Sequence, residues 1–578
     1  MEPRRIALAV VLMAAVLVVT PLLFPTPKPV PGATNVVATD SLVRGDSAER
    51  ALGAATATAT TNGTTSSPSL AATTASATPG ARDTAGVNTA AAAVVPVDTA
   101  SVATAHATYR TTNRGASLIG AELGLYPTLR DHGRSKTGAV ELASPYDHLL
   151  AFRLAFSGDT IRLDKQLFRT TRSEENGRAT VRYDATIGQR AVSITYSFLP
   201  DSYRVNIAAK VEGAPDNSFL LVDMPPGFRS SEADTAEDAT HLAYAYKPER
   251  QNAKGVAFRS LDPGERKIET GPITWVVAKN KYFLVGLLTP VGKPGFAELD
   301  LTGGVRTAKT ATRAQATVIT PLKSGEATFE LYAGPQEFSR LVAIGREFET
   351  SNPYGGWLQG VVQPFATMVI RLLLLMKEKL GLPYGWILVL FGVSVRIILW
   401  PLNQRAMRSS MAMQRIQPEL QAIQTRYKGD PQKLQVAMME VYKAHGMSPF
   451  SSVSGCLPML IPLPVFFALF FVFQNTIEFR GVSFLWLPDI SIKDPFYILP
   501  ILVAITAIGL SYIGMRGIKS NEQQKIMMYM MPAMMLFIFL NMASGLNLYY
   551  LVQNLASLPQ QWLIARERSK AQPALVRG

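Results

Sequence analysis

Long apolar runs lie at the two ends of this chain, and a broad stretch of alternating apolar and polar positions lies between them. The first run, Ile6–Phe24, follows Arg4 and Arg5 and comes close to the roughly 20 residues a helix needs to cross a bilayer. It exceeds an ordinary signal-peptide core, and no A-x-A cleavage site lies at its end, just before "PTPKP", so residues 1–25 read as an uncleaved anchor with its N-terminus inside. Five further runs, Gly385–Leu402, Leu457–Phe473, Phe496–Ile513, Ile526–Leu540 and Leu546–Leu563, bring the predicted transmembrane helices to six. The fifth of the six is short and implies local thinning of the bilayer or tilt of its neighbours.

Between these ends the pattern changes twice. Residues 26–104 are rich in Ala, Thr, Ser and Gly and hold too few large apolar side chains to offset the entropy of ordering, which predicts a disordered tether. From 105 to 350, large and polar residues alternate, as at Val181 and Tyr183 and at Tyr203, Val205 and Ile207, with turn signals such as "LPDS" between them. That period of two predicts an all-β sandwich outside the membrane. Residues 351–382 read as an amphipathic helix on the outer surface, because Gln359, Gln363, Pro364 and Arg371 interrupt its apolar run. Were it to cross, every later loop would reverse.

Charge settles that choice. The net charge is +14, but position matters more than the sum: among the loops between the C-terminal runs, residues 403–449 carry Arg405, Arg408, Arg415, Arg426 and Lys428, and the tail 566–578 is basic as well. The positive-inside rule puts both on the cytoplasmic side with the two termini. Within 403–449, Ile416, Leu420, Ile423 and Tyr427 recur at helical spacing, "KGDPQ" turns, and Leu434, Met438 and Val441 resume the pattern. This predicts a basic helical hairpin suited to ribosomal RNA, anionic lipid or a nascent chain, a solvated charged face being the plainer reading. One cysteine, Cys456, excludes an intrachain disulfide, and five scattered histidines offer no metal-ligand spacing, so no metal, cofactor or catalytic residue is expected.

One cation stands out inside a span. Arg396 sits seven residues before Asn403, about 10 Å inside the end of its helix. A charged side chain at that depth either snorkels to the interface or serves a function. Ser394 lies beside it, and Asn547, Tyr550 and Asn554 form a polar stripe at i, i+3 and i+7 on the last span. Together they suggest a wet cavity shared by several spans. No Asp or Glu occurs in the five C-terminal spans, so Arg396 has no intramembrane carboxylate and a proton relay is disfavoured.

The segments "VSVRIILWPLN", "QRAMRSSMAMQRIQPELQAIQTRYKGD", "GCLPMLIPLPVFFALFFVF", "DPFYILPIL", "QQKIMMYMMP" and "SGLNLYYLVQNL" resemble the YidC family of membrane protein insertases, in its Gram-negative form with a large periplasmic domain. The resemblance implies a five-helix insertase core over 383–565 in the inner membrane and a periplasmic sandwich. It also implies nascent membrane proteins as substrates, the Sec translocon as a partner, and a substrate groove containing Arg396 and Tyr550. Gly392 departs from the family, standing where a groove hydroxyl is common. A slide for the passing apolar helix is implied on the third and fifth spans. Their Phe466, Phe467 and Phe470, and Met527, Met530, Met531 and Met534, are adaptable surfaces, although ordinary packing explains the same residues. The rival functions are a small-molecule or ion channel or transporter, and a purely structural partner of the translocon.

Overall fold

The computed structural model describes residues 96–130, 138–156, 158–306, 310–353, 359–427, 429–445, 463–515 and 522–571. The predicted anchor, Cys456, Lys428 and the side chains of Arg405, Arg408, Arg415 and Met527 lie outside the described residues.

Alternation becomes strands where it was expected. Arg178–Ile187 (β8) and Arg190–Phe198 (β9) pair antiparallel from Thr180↔Ser197 to Ile187↔Arg190. Gly188, at φ +63°, makes the tight turn between them, a conformation costly for any residue with a Cβ. Val181, Tyr183, Ile194, Tyr196 and Phe198 point into the core, and the residues between them point out. The strands form one four-stranded and one fourteen-stranded antiparallel sheet, which share a core around Trp275, Tyr196 and Tyr244. The long strand Arg266–Lys279 (β14) pairs with three neighbours, which places its "ITWVVAK" end at the centre of that core.

The sandwich begins earlier than composition suggests. Thr99–Ala103 (β1), within the residues read as tether, pairs with Thr108–Thr112 (β2). Its sequence "TASVA" has the small residues of the tether, but Ala100 is buried by its neighbours and ordered by the β2 ladder. Tertiary pairing here overrides local composition.

The remaining described elements are helical: α1 (Thr235–Thr240) within the sandwich, α2 (Phe338–Ile344) at its end, then α3 (Gln359–Leu380), α4 (Tyr384–Arg426), α5 (Pro431–Ala444), α6 (Leu463–Asn475), α7 (Ile498–Met515), α8 (Glu522–Phe539) and α9 (Ser544–Ala571). Among the described residues α3, the Tyr384–Pro401 part of α4, and α7 are long and apolar enough to cross a membrane, and α6 and α8 contribute shorter apolar stretches. By length and composition α3 therefore qualifies as a span, whereas its polar residues led to the interfacial reading. It buries Val362, Ala366, Val369, Ile370 and Leu373 against the bundle and exposes Val361, Phe365, Met368 and Leu372.

A second difference lies in α4. The sequence reading divides span from hairpin at Asn403, but the helix runs unbroken for 43 residues through Pro401. Proline removes one backbone hydrogen bond, and no turn signal follows it to end the helix. The hairpin's turn falls at Tyr427–Asp430, where the Asp430 side chain caps α5 by accepting from the Lys433 N–H at 3.1 Å. Ile416, Leu420 and Tyr442 pack the two arms together.

The loop after α6 joins the two halves of the molecule. Tyr384 at the start of α4 packs on Phe479, and the Ser544 hydroxyl at the start of α9 donates to the carbonyls of Asp489 and Ile492. Thus α4 and α9 run parallel from one loop, and positions in one can be matched by depth to positions in the other.

Candidate groove between two parallel helices

α4 approaches α9 closely at Gly392. A Cβ there would stand 2.9 Å from Val552 Cγ1, so the absence of a side chain permits the contact. The Gln553 side-chain amide uses the space, donating to the Gly392 carbonyl at 2.8 Å and to the Tyr549 hydroxyl at 3.1 Å. Farther along, the Arg396 guanidinium donates through Nη2 to Gln560 Oε1 at 2.5 Å. Arg396 lies about 18 Å along α4 from Tyr384, counted at 1.5 Å per residue.

This pocket is polar and only partly satisfied. Arg396 Nε and Gln560 Nε2 are buried and have no protein partner among the described residues, and Arg396 makes no ion pair among them. Such atoms in a folded protein call for water or a guest's polar groups. A half-buried cation facing an amide, with donors to spare, can attract an acidic or carbonyl-rich segment and release it again.

The residues singled out from sequence separate into two groups. Asn547, Tyr550 and Asn554 share a side of α9, but Arg396 meets a different side, formed by Tyr549, Gln553 and Gln560. Asn547 is fully buried and donates to the Phe539 carbonyl at 3.1 Å. Asn554 ties α9 to α7, donating to the Val503 carbonyl at 3.2 Å and Thr506 Oγ1 at 3.0 Å. The Tyr550 ring packs on Phe466 and Phe539, with centroids 5.6 and 5.0 Å away. Ser394 is half-buried, two positions before Arg396 on α4.

Phe466, Phe467 and Phe470 on α6 are half-buried, as is Met531 on α8, whereas Met530 and Met534 are more than half exposed. Phe466 packs edge-on against Phe467, and Tyr550 joins this aromatic group from α9. Of the basic hairpin positions, Arg426 is exposed, with its guanidinium over the Tyr427 ring. Among the described residues no cluster of His, Cys, Asp or Glu has the makings of a metal site.

Sequence reading missed Gln553, Gln560 and Tyr549. Their positions at i+4, i+11 and i fall on one helical face, and that periodicity was available. What it lacked was the rotation of α9, which packing against α4 and α7 decides.

Comparison with known proteins supplies the context. Residues 375–572 match the family described as 60Kd inner membrane protein, and residues 99–368 match the YidC periplasmic domain. The membrane protein insertase YidC of Pelodictyon phaeoclathratiforme is 32% identical over 433 residues, 70% of this chain and 71% of that one. That of Chlorobium phaeovibrioides is 32% identical over 420 residues, 68% and 70% of the two chains. A solved structure described as an active YidC insertase with its first transmembrane domain resolved is 19% identical, covering 81% of this chain and 95% of the other at a TM-score of 0.33.

Proposed function

The chain belongs to the YidC family of membrane protein insertases, and from that premise we propose that its substrate groove is the polar cleft of α4 and α9 around Arg396. The protein is a membrane insertase with a periplasmic domain and acts without enzymatic chemistry. In the proposed mechanism a nascent segment arrives from the cytoplasm with its polar flank leading. The flank enters the groove and exchanges bulk water for the Arg396 guanidinium and the amides of Gln553 and Gln560. Its apolar part leans on a slide made by Phe466, Phe467 and Phe470 of α6 and by Met530, Met531 and Met534 of α8. The driving force is transfer of the substrate's own apolar helix into lipid, and the groove lowers the barrier by shortening the dry distance its polar groups must cross.

Six spans, with both termini cytoplasmic and α3 in the outer interface, complete the proposal. The charge asymmetry of the loops supports this topology. The basic hairpin and tail would meet the ribosome and anionic lipid headgroups, and the Sec translocon would be a further partner. Asn547, Tyr550 and Asn554 would serve the groove's outer margin, and Ser394 its wall.

The observation that carries the groove is the partly buried Arg396–Gln560 contact, with a buried polar atom left over on each side chain. Purified protein in liposomes, given single-span substrates with acidic flanks, tests it. Arg396→Lys is expected to keep much of the insertion and Arg396→Ala to lose it, because the groove uses positive charge more than a guanidinium's geometry. Equal insertion by the wild type and Arg396→Ala across several substrates would mean that Arg396 only snorkels.

A further inference from the structure

The turn that follows α6 is buried in the β-sandwich rather than laid on its surface. Arg480, five residues beyond the last residue of α6, donates through Nε to both carboxylate oxygens of Glu232 at 2.8 and 3.1 Å, and through Nη2 to the Pro127 carbonyl at 3.0 Å. The two side chains are 3% and 9% exposed, which makes this the most deeply buried ion pair among the described residues. The Phe283 and Tyr282 rings flank the guanidinium at 5.3 and 5.9 Å. Two residues earlier, the buried Glu478 carboxylate accepts from the Phe338 N–H at 3.2 Å, and Ile477 joins the sandwich's own hydrophobic core. By contrast Phe479, between Glu478 and Arg480, packs with the helical bundle. One short turn is therefore shared by the two cores.

We propose that Arg480 is a positioning residue for insertion, whose pair with Glu232 anchors the outer end of α6 to the sandwich while a substrate helix bears on the phenylalanine side of α6. The inference rests on the slide reading above. The physical case is one of leverage. A substrate helix that gains apolar contact with α6 also pushes on it, and a short helix held only by apolar packing yields by tilting. An ion pair removed from water resists that tilt, since separating it strands two buried charges. The flanking rings and the Pro127 carbonyl fit the planar guanidinium, so lysine would not replace it. On this view the sandwich is a fixed abutment for the slide.

The test uses the full-length protein in liposomes with Cys456 replaced by Ser and spin labels at positions 125 and 485, both exposed. Capture of a stalled apolar substrate by a photo-crosslinker at 467 is measured in parallel. The wild type is expected to give one narrow distance and strong capture. Arg480→Ala and Glu232→Ala should each broaden the distance and lose most of the capture. Arg480→Glu with Glu232→Arg should recover both, and the recovery would exclude general misfolding. A narrow distance retained in Arg480→Ala would overturn the anchor. A broadened distance with undiminished capture would overturn its role in insertion. Loss in the single variants with no recovery in the exchanged pair would overturn the ion pair as the cause. Absence of capture at 467 in the wild type itself would overturn the slide reading, and the role of Arg480 with it, while the distances would still report the contact between sandwich and turn.

Discussion

At the scale of single residues the proposed groove turns on one cation, Arg396, which makes no ion pair among the described residues. Gln560→Glu would set a carboxylate where the amide oxygen now lies 2.5 Å from Arg396 Nη2, giving the guanidinium a permanent partner. The expected outcome is insertion of acidic-flank substrates impaired as strongly as in Arg396→Ala, with a melting temperature no lower than the wild type's. A purely structural role for Arg396 predicts the reverse, since the added ion pair would help. Glu478 gives a second prediction at this scale. Burial pushes its carboxyl up to about 7 from an ordinary value near 4.5, its Oε2 has no protein partner among the described residues, and Glu337 adds like charge. The proton is therefore held more tightly in the folded protein than in the unfolded chain. Stability falls as pH rises from about 4.5 to 7, by up to about 1.4 kcal/mol per pH unit, and levels off above that window. Glu478→Gln should flatten this slope in melting temperatures measured across the window. Arg396 was legible in the sequence because a charge among apolar residues announces itself. Gln560 was not, because an amide near the end of an apolar run is unremarkable until the facing helix is known.

At the scale of elements the proposed groove depends on how closely α4 and α9 approach. Gly392→Ala would set a Cβ 2.9 Å from Val552 Cγ1, so Val552 must shift, whereas Gly392→Leu cannot be placed without parting the helices. The leucine variant is expected to lower the melting temperature in detergent well beyond the alanine variant, and to lose insertion with it. Equal melting temperatures would mean that the helices are not in register there. Strands such as β8 and β9 were legible from period, and helices such as α7 from the length of an apolar run. β1 was hidden because small residues carry almost no pattern, and the unbroken α4 because a membrane boundary changes composition without changing the backbone. The face α9 turns to α4 was hidden for a related reason: periodicity groups residues onto faces, and only neighbouring helices say which face meets which.

At the scale of the whole molecule, an insertase core and a large β-sandwich share the turn after α6. Period and composition distinguish a β-sandwich region from a helical one along the chain, but they show nothing of the contact, since Glu232 and Arg480 lie 248 positions apart. Removing residues 96–337 is expected to leave measurable insertion, because the groove and slide reside in the helices, but at an efficiency no better than that of Arg480→Ala. Insertion at the wild-type rate in liposomes would show that the sandwich contributes nothing to the slide. The proposed mechanism requires a wet groove beside a dry slide, and crosslinking to a stalled chain tells the two apart. Photo-crosslinkers at Tyr549 and Gln553, and at Phe467 and Met534, are each combined with one stalled nascent chain carrying a distinguishable polar flank and apolar segment. The first pair is expected to capture the flank and the second pair the apolar segment. Uniform capture of both parts at all four positions, or capture of the apolar segment from Gln553, would contradict it.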